Sequence, residues 1–148
     1  MQPLIAVIGG SAPDARTAAL AEEVGRHLAR SGAVLVCGGL GGVMEAASRG
    51  AKGAGGLTLG IFPGYDPASA NPHIDLPVCT GMGHARNAII AATAHALIAL
   101  EGSHGTLSEI ALGLKLGRRV IALGRRESPA GVLLAGSAEE AVRLALHG

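Results

Sequence analysis

The chain has 148 residues, 49% of them apolar and 16% charged, with a formal net charge of +1. That length suits one domain over 1–148 with a substantial core, and that composition excludes intrinsic disorder. The near-neutral charge, one Tyr, one Phe and no Trp give no footprint for nucleic acid or a membrane surface and no base-stacking platform.

The 24 glycines follow no collagen-like period, so they are read as turns and close backbone approaches. Leu4 to Ile8 is an unbroken apolar run, which suits a strand buried on both faces of a parallel sheet. It ends in Gly9-Gly10-Ser11. Asp14 is placed to cap a helix with Ala19, Leu20, Val24 and Leu28 inward, ended by Ser31-Gly32. Ala33 to Cys37 is a second strand, followed at once by Gly38 to Gly42 and a helix from Val43. Leu57 to Ile61 is a third strand, stopped by Pro63-Gly64. Tyr65 to Asp75 is irregular and reads as a surface loop, of the kind that covers a site. Leu76 to Cys79 is a short strand at best. Gly81-Met82-Gly83 leads into a helix carrying His84, Arg86 and Asn87. A strand from Ala96 then runs through Gly102 to Gly105 into a helix that ends at Gly117. Val120 to Leu123 is another strand, and Ser137 to Glu140 opens the last helix with a capping box. This recurrence of strand, glycine turn and helix predicts an α/β, Rossmann-like three-layer fold, with a mostly parallel sheet and helices on both faces.

Both cysteines, Cys37 and Cys79, lie in apolar strand-like runs far apart and are read as buried thiols. The N-terminus shows no signal-peptide pattern, and the most apolar window, Ala88 to Leu100, is interrupted and too short to span a bilayer. A soluble, cytoplasmic protein is the default expectation.

Ligands of open α/β sheets bind at the carboxyl ends of the strands. Three glycine turns are expected at that edge, and together they point to a phosphate-bearing ligand held on backbone N–H groups. A P-loop is excluded, because neither Lys52 nor Lys115 follows a glycine loop as that motif requires. A dinucleotide fingerprint fails as well: Met44 stands where a third small residue is needed, and no acidic residue ends the next strand. Thr106-Leu107-Ser108-Glu109 spells a capping box, so Glu109 has a purely structural reading beside a functional one. Arg86 has two readings also, a bidentate phosphate or carboxylate contact and a surface arginine. His84 is a candidate hydrogen bonder, and His104 occupies a turn. No His, Cys or carboxylate set has metal-ligand spacing, so no metal site is expected.

Taken together, Gly38-Gly39-Leu40-Gly41-Gly42-Val43-Met44-Glu45-Ala46, Gly81-Met82-Gly83-His84-Ala85-Arg86-Asn87 and Gly102-Ser103-His104-Gly105-Thr106-Leu107-Ser108-Glu109 resemble the three blocks of the LOG (Lonely Guy)-like superfamily. That group includes cytokinin-activating phosphoribohydrolases, proteins formerly labelled lysine decarboxylases, and the molybdenum cofactor carrier proteins. The resemblance runs from Val7 to about Leu123 and is closer to the short carrier-like branch. It implies a site for a phosphorylated nucleotide-like ligand, either an AMP-like nucleoside monophosphate or a molybdopterin-type cofactor, with no cofactor required. The ligand-binding residues it implies are Gly10, Ser11, Gly38, Gly39, Gly41, Gly42, Met44, Gly102, Ser103, His104, Gly105 and Thr106. The alternative it implies is a phosphoribohydrolase that cleaves a nucleoside 5′-monophosphate to base and ribose 5-phosphate, with Glu109 and Arg86 catalytic. A structural or interaction protein with a vestigial site is the third reading.

Two departures from the enzymes stand out. Glu101-Gly102-Ser103 replaces Pro-Gly-Gly, and Asn87 replaces a lysine. Glu101 adds a carboxylate near an anion site unless it turns away. Lysine decarboxylase chemistry is not expected, because Lys52 and Lys115 project away from the ligand edge and no Schiff-base lysine remains. The resemblance also implies a homodimer or higher homo-oligomer. The alanine-rich helix from Ala85 to Ala94 suits either that interface or burial under the sheet.

Overall fold

The computed structural model describes all residues, 1–148. Seven strands form one all-parallel sheet: β1 (Leu4–Ile8), β2 (Val34–Cys37), β3 (Thr58–Phe62), β4 (Leu76–Cys79), β5 (Ala96–Ala99), β6 (Arg119–Leu123) and β7 (Leu133–Ala135). The strand order is β4-β3-β2-β1-β5-β6-β7. The first four strands therefore wind outward from β1 in one direction, and β5 restarts on its other side. This Rossmann-like α/β architecture has its topological switch point between β1 and β5, where such sheets open a crevice.

Side chains alternate across the central strands. Ile5, Val7, Leu35, Cys37, Ile98 and Leu123 face one layer, while Ala6, Ile8, Val36, Leu97, Ala99 and Val120 face the other. The first layer is α1 (Ala15–Arg30), α2 (Val43–Gly53) and α5 (Ala138–His147). The second is α3 (Arg86–Thr93) and α4 (His104–Lys115).

Asp14 caps α1 by accepting from the Thr17 N–H at 2.8 Å. The inward residues of α1 are Ala21, Val24, Gly25 and Leu28; Ala19, expected inside, is exposed. Two glycines, one on each helix, let α1 and α2 approach closely. A Cβ at Gly25 would run into the Ala47 carbonyl oxygen, and one at Gly50 into the Glu22 carbonyl oxygen. At α5 the expected capping box forms in a shifted version. Ser137 Oγ accepts from the Glu140 N–H at 3.1 Å, and Glu140 Oε1 accepts from the Gly136 N–H at 2.7 Å.

Strand β7 has no counterpart in the sequence reading. It is three residues long, lies at the sheet edge with Leu133 and Leu134 exposed, and is hemmed by Gly131 and Gly136. Strand β4 is the other edge. Its four residues are all exposed, so Pro77 is tolerated there and Cys79 is a free, exposed thiol rather than a buried one. Cys37 is fully buried. The Tyr65–Asp75 loop does not line the cavity between the glycine turns. Asn71 pins it to the second glycine turn, donating its backbone N–H to the Gly39 carbonyl and its Nδ2 to the Leu40 carbonyl, each at 2.9 Å. No helix is long and apolar enough to cross a membrane.

Two outcomes test this packing. Gly50→Ala gains about 1 kcal/mol of helix propensity but forces backbone against backbone, so urea denaturation is expected to show a net loss of about 1–3 kcal/mol. In the native protein, an aromatic disulfide reagent is expected to titrate Cys79 at once and Cys37 only on unfolding.

Candidate functional site

Three turns leave the carboxyl edge of β1, β2 and β5 and meet at one residue, Gly10. The Gly10 N–H donates to the Glu101 carbonyl at 2.9 Å, and the Gly10 carbonyl accepts from the Val43 N–H at 3.0 Å. The approach is close enough to require glycine on both sides. A Cβ at Gly42, whose φ is +72°, would strike the Gly10 carbonyl oxygen and Ser11, and one at Gly102 would strike Thr106 Oγ1. The Gly10 backbone therefore stitches the turns together, with its own N–H and carbonyl already engaged.

Between these turns lies a cavity of about 260 Å³. Of the residues singled out in the sequence, Gly10, Ser11, Gly38, Met44, Ser103, Gly105, Thr106, Arg86 and Glu109 line it, as does His84. Gly39, Gly41, Gly42, Gly102 and His104 do not. Gly39, Gly42 and Gly102 shape the turns instead, through the contacts already described and through Gly39 packing against Phe62. A larger depression of about 530 Å³ between α1 and α5, edged by His27, Arg143 and His147, is an open helix–helix surface remote from every glycine turn. The smaller cavity is where the buried polar side chains gather.

The floor of the cavity is set by α3 and α4. Helix α4 begins at His104 with Ser103 as its N-cap, and the Ser103 side chain makes no capping hydrogen bond. The N–H groups of His104, Gly105 and Thr106 are thus left without intrahelical partners, facing the switch point. The expected Thr106–Glu109 capping box does not form. Helix α4 starts three residues earlier than that box requires, so Thr106 lies inside the first turn and Glu109 in the second. Glu109 is 8% exposed, and no cationic nitrogen comes within 4 Å of its oxygens. Burial pushes its carboxyl up to about 7, and Arg86, the one charge acting on it, only partly offsets that.

Arg86 opens α3 and is also 8% exposed. Gly38 makes room for it: a Cβ there would sit 2.6 Å from Arg86 Nη2 and 2.7 Å from Met44 Sδ. Arg86 Nη1 donates to Asn87 Oδ1, Asn87 Nδ2 donates to Ser108 Oγ at 3.0 Å, and Ser108 Oγ donates to the Gly105 carbonyl at 2.7 Å. This chain ties the guanidinium to the first turn of α4. Arg86 Nε is buried with no partner. Burial pulls the guanidinium below its ordinary range, while Glu109 and Cys37 oppose the shift. An arginine nevertheless stays charged at neutral pH. Beneath it, burial pushes the Cys37 thiol up, so it is a neutral packing group there.

Asn87 is the site residue that the sequence reading did not nominate. Its position next to Arg86 was visible, but its partner Ser108 lies 21 residues on and is brought near only by folding. Glu101 turns away from the cavity, its Oε2 accepting from the Arg126 N–H at 3.1 Å. Lys52 is held by Asp75 at 2.6 Å beside the start of β3, at the opposite sheet edge. No group of three metal-ligating side chains occurs.

The SLOG cluster4 family profile matches residues 2–145. The chain belongs to the SLOG cluster4 family. A relative in Archaeoglobus fulgidus, itself uncharacterised, is 48% identical over 119 residues, 80% of this chain and 78% of that one. Among solved structures, the molybdenum cofactor binding protein of Rippkaea orientalis superposes with a TM-score of 0.92 at 36% identity, covering 97% of this chain and 95% of that one. The molybdenum cofactor carrier protein of Chlamydomonas reinhardtii superposes with a TM-score of 0.88 at 33% identity, covering 97% and 96%. The SLOG cluster4 chain thus falls within the LOG-like and carrier-like superfamily that its glycine blocks resemble.

Glu109 makes the stability of this SLOG cluster4 protein pH-dependent. Its carboxyl has an ordinary value of 4.5 and a folded value of about 7, so between those values the folded state holds the extra proton. Its contribution is therefore complete below pH 4.5 and is lost as pH rises to about 7, on the order of 3 kcal/mol in all. Chemical denaturation across that range is expected to show this decline in the wild type and to lose it in Glu109→Gln.

Proposed function

We propose that the chain binds a molybdopterin-type cofactor, or another phosphorylated nucleotide-like ligand, at the carboxyl edge of β1, β2 and β5. One observation carries this reading: a buried arginine with an unpartnered Nε shares a cavity with the uncapped start of α4. A full positive charge beside free N–H groups is what a phosphate ester needs. The residues present fit such a group. Gly105, Thr106 and Arg86 would hold the phosphate, and Gly38, Met44 and His84 would border the remainder. Ligand pockets usually measure about 300–1,000 Å³, so a cavity of about 260 Å³ suits the phosphate end, with the ring system at the mouth. The two carrier-type structures at 33% and 36% identity support the molybdopterin choice.

Phosphoribohydrolase activity on a nucleoside 5′-monophosphate is a second reading, favoured by Glu109. A buried carboxyl with a value of about 7 is poised for general acid or base work at neutral pH. It would face the ribose C1′ of a ligand whose phosphate lies on α4.

Titration with purified molybdopterin cofactor and with AMP tests both readings. Wild type is expected to bind the cofactor, and Arg86→Ala to bind it roughly 10–150-fold more weakly, the range for a lost hydrogen bond to a charged group. Release of ribose 5-phosphate from AMP by wild type and not by Glu109→Gln would establish the hydrolase. Absence of binding by any phosphorylated ligand would overturn both. Self-association, with the exposed β4 edge and the outer alanines Ala88 and Ala92 as surfaces, belongs to the same proposal and is read by sedimentation.

A further inference from the structure

We propose that, above neutral pH, the cavity takes up one proton from solvent, onto Glu109, as it binds a dianionic phosphate group. This rests on the reading of the cavity as an anion site and concerns how that site is regulated.

Arg86 supplies one positive charge, and the start of α4 is equivalent to roughly half of another. A dianion already exceeds that sum. Glu109 lines the same cavity of about 260 Å³, so an ionised Glu109 would add a third negative charge with nothing left to balance it. No hydrogen bond holds its carboxylate oxygens, and no protein cation lies within 4 Å to keep them charged. A protonated Glu109 removes the repulsion, and its O–H can donate to a phosphate oxygen.

The surrounding groups leave this role to Glu109. Helix α3 presents Arg86, which stays charged, and its approach presents His84, exposed at the mouth. Strand β2 presents Cys37 as a neutral thiol. The β1 turn presents no titratable group, and beyond β5 Glu101 is turned toward Arg126. On α4 itself, His104 is outside the cavity lining and Lys115 is in the last turn. The raised value of Glu109 agrees: the carboxyl is poised to change its proton near neutral pH. Ligand would therefore be held more tightly as pH falls and released as it rises.

Calorimetric titration of the whole chain, in paired buffers of different ionisation heat, counts the protons directly. The probes are sulfate, whose charge is constant across neutral pH, and AMP at about pH 8, above the second phosphate ionisation near 6. Wild type is expected to take up close to one proton per anion at about pH 8 and few at about pH 6, with affinity falling up to tenfold per unit above pH 7. Glu109→Gln is expected to bind sulfate with no uptake and no pH dependence, whereas His84→Gln retains the uptake. Binding by wild type without uptake at about pH 8, or undiminished uptake in Glu109→Gln, overturns the coupling and leaves the anion site standing. Failure of either anion to bind at any pH overturns the site and the coupling together. The proton count is made on wild type, so it does not depend on a variant folding.

Discussion

The backbone of Gly10 is the constraint on which the site depends. Its N–H and carbonyl are shared between the turn after β5 and the start of α2, so three separate loops become one surface. Only small residues permit this approach. Gly42 and Gly102 stand where a Cβ would collide with neighbouring turns, and Gly9 stands where it would meet Val43 at 2.7 Å. Backbone amides at a helix start bind an anion only when the chain beside them leaves room, and here the glycines leave it. Their role is in part indirect: several of the glycines define the cavity without lining it.

Around that scaffold the polar side chains are in tension with their burial. Arg86 is desolvated but held by Asn87, Ser108 and the first turn of α4. Glu109 is largely desolvated and makes no hydrogen bond, and only the Arg86 charge offsets part of its burial. In a well-packed interior such a carboxyl is a liability, because the charged form loses its water and gains no partner. It persists next to a cavity, at the place where the sheet topology directs ligands. Glu101, the other carboxylate on this part of the chain, is turned aside to the Arg126 N–H.

The match between pattern and fold was closest where the chain is most constrained. Strands buried on both faces must be apolar throughout, so β1, β2 and β5 are legible as unbroken runs and fall within a residue of their observed bounds. Edge strands carry no such requirement. Strand β7 escapes notice, and β4 reads as marginal, because exposed three- and four-residue strands impose little on composition. The same logic separates the cysteines: two apolar runs put Cys37 in a central strand and Cys79 at an open edge.

The sequence by itself determined the α/β class, the three glycine turns at one edge, the resemblance to the LOG-like superfamily, and the prominence of Arg86 and Glu109. These are local properties, written in periodicity and in residues that permit turns. Tertiary structure alone decided that α4 begins at His104, so that Glu109 faces the cavity instead of capping its helix. It decided that Asn87 reaches Ser108 and that Glu101 is drawn to Arg126. Each of these depends on which side chain loses its water and which finds a partner, and that balance is struck only when distant segments pack together.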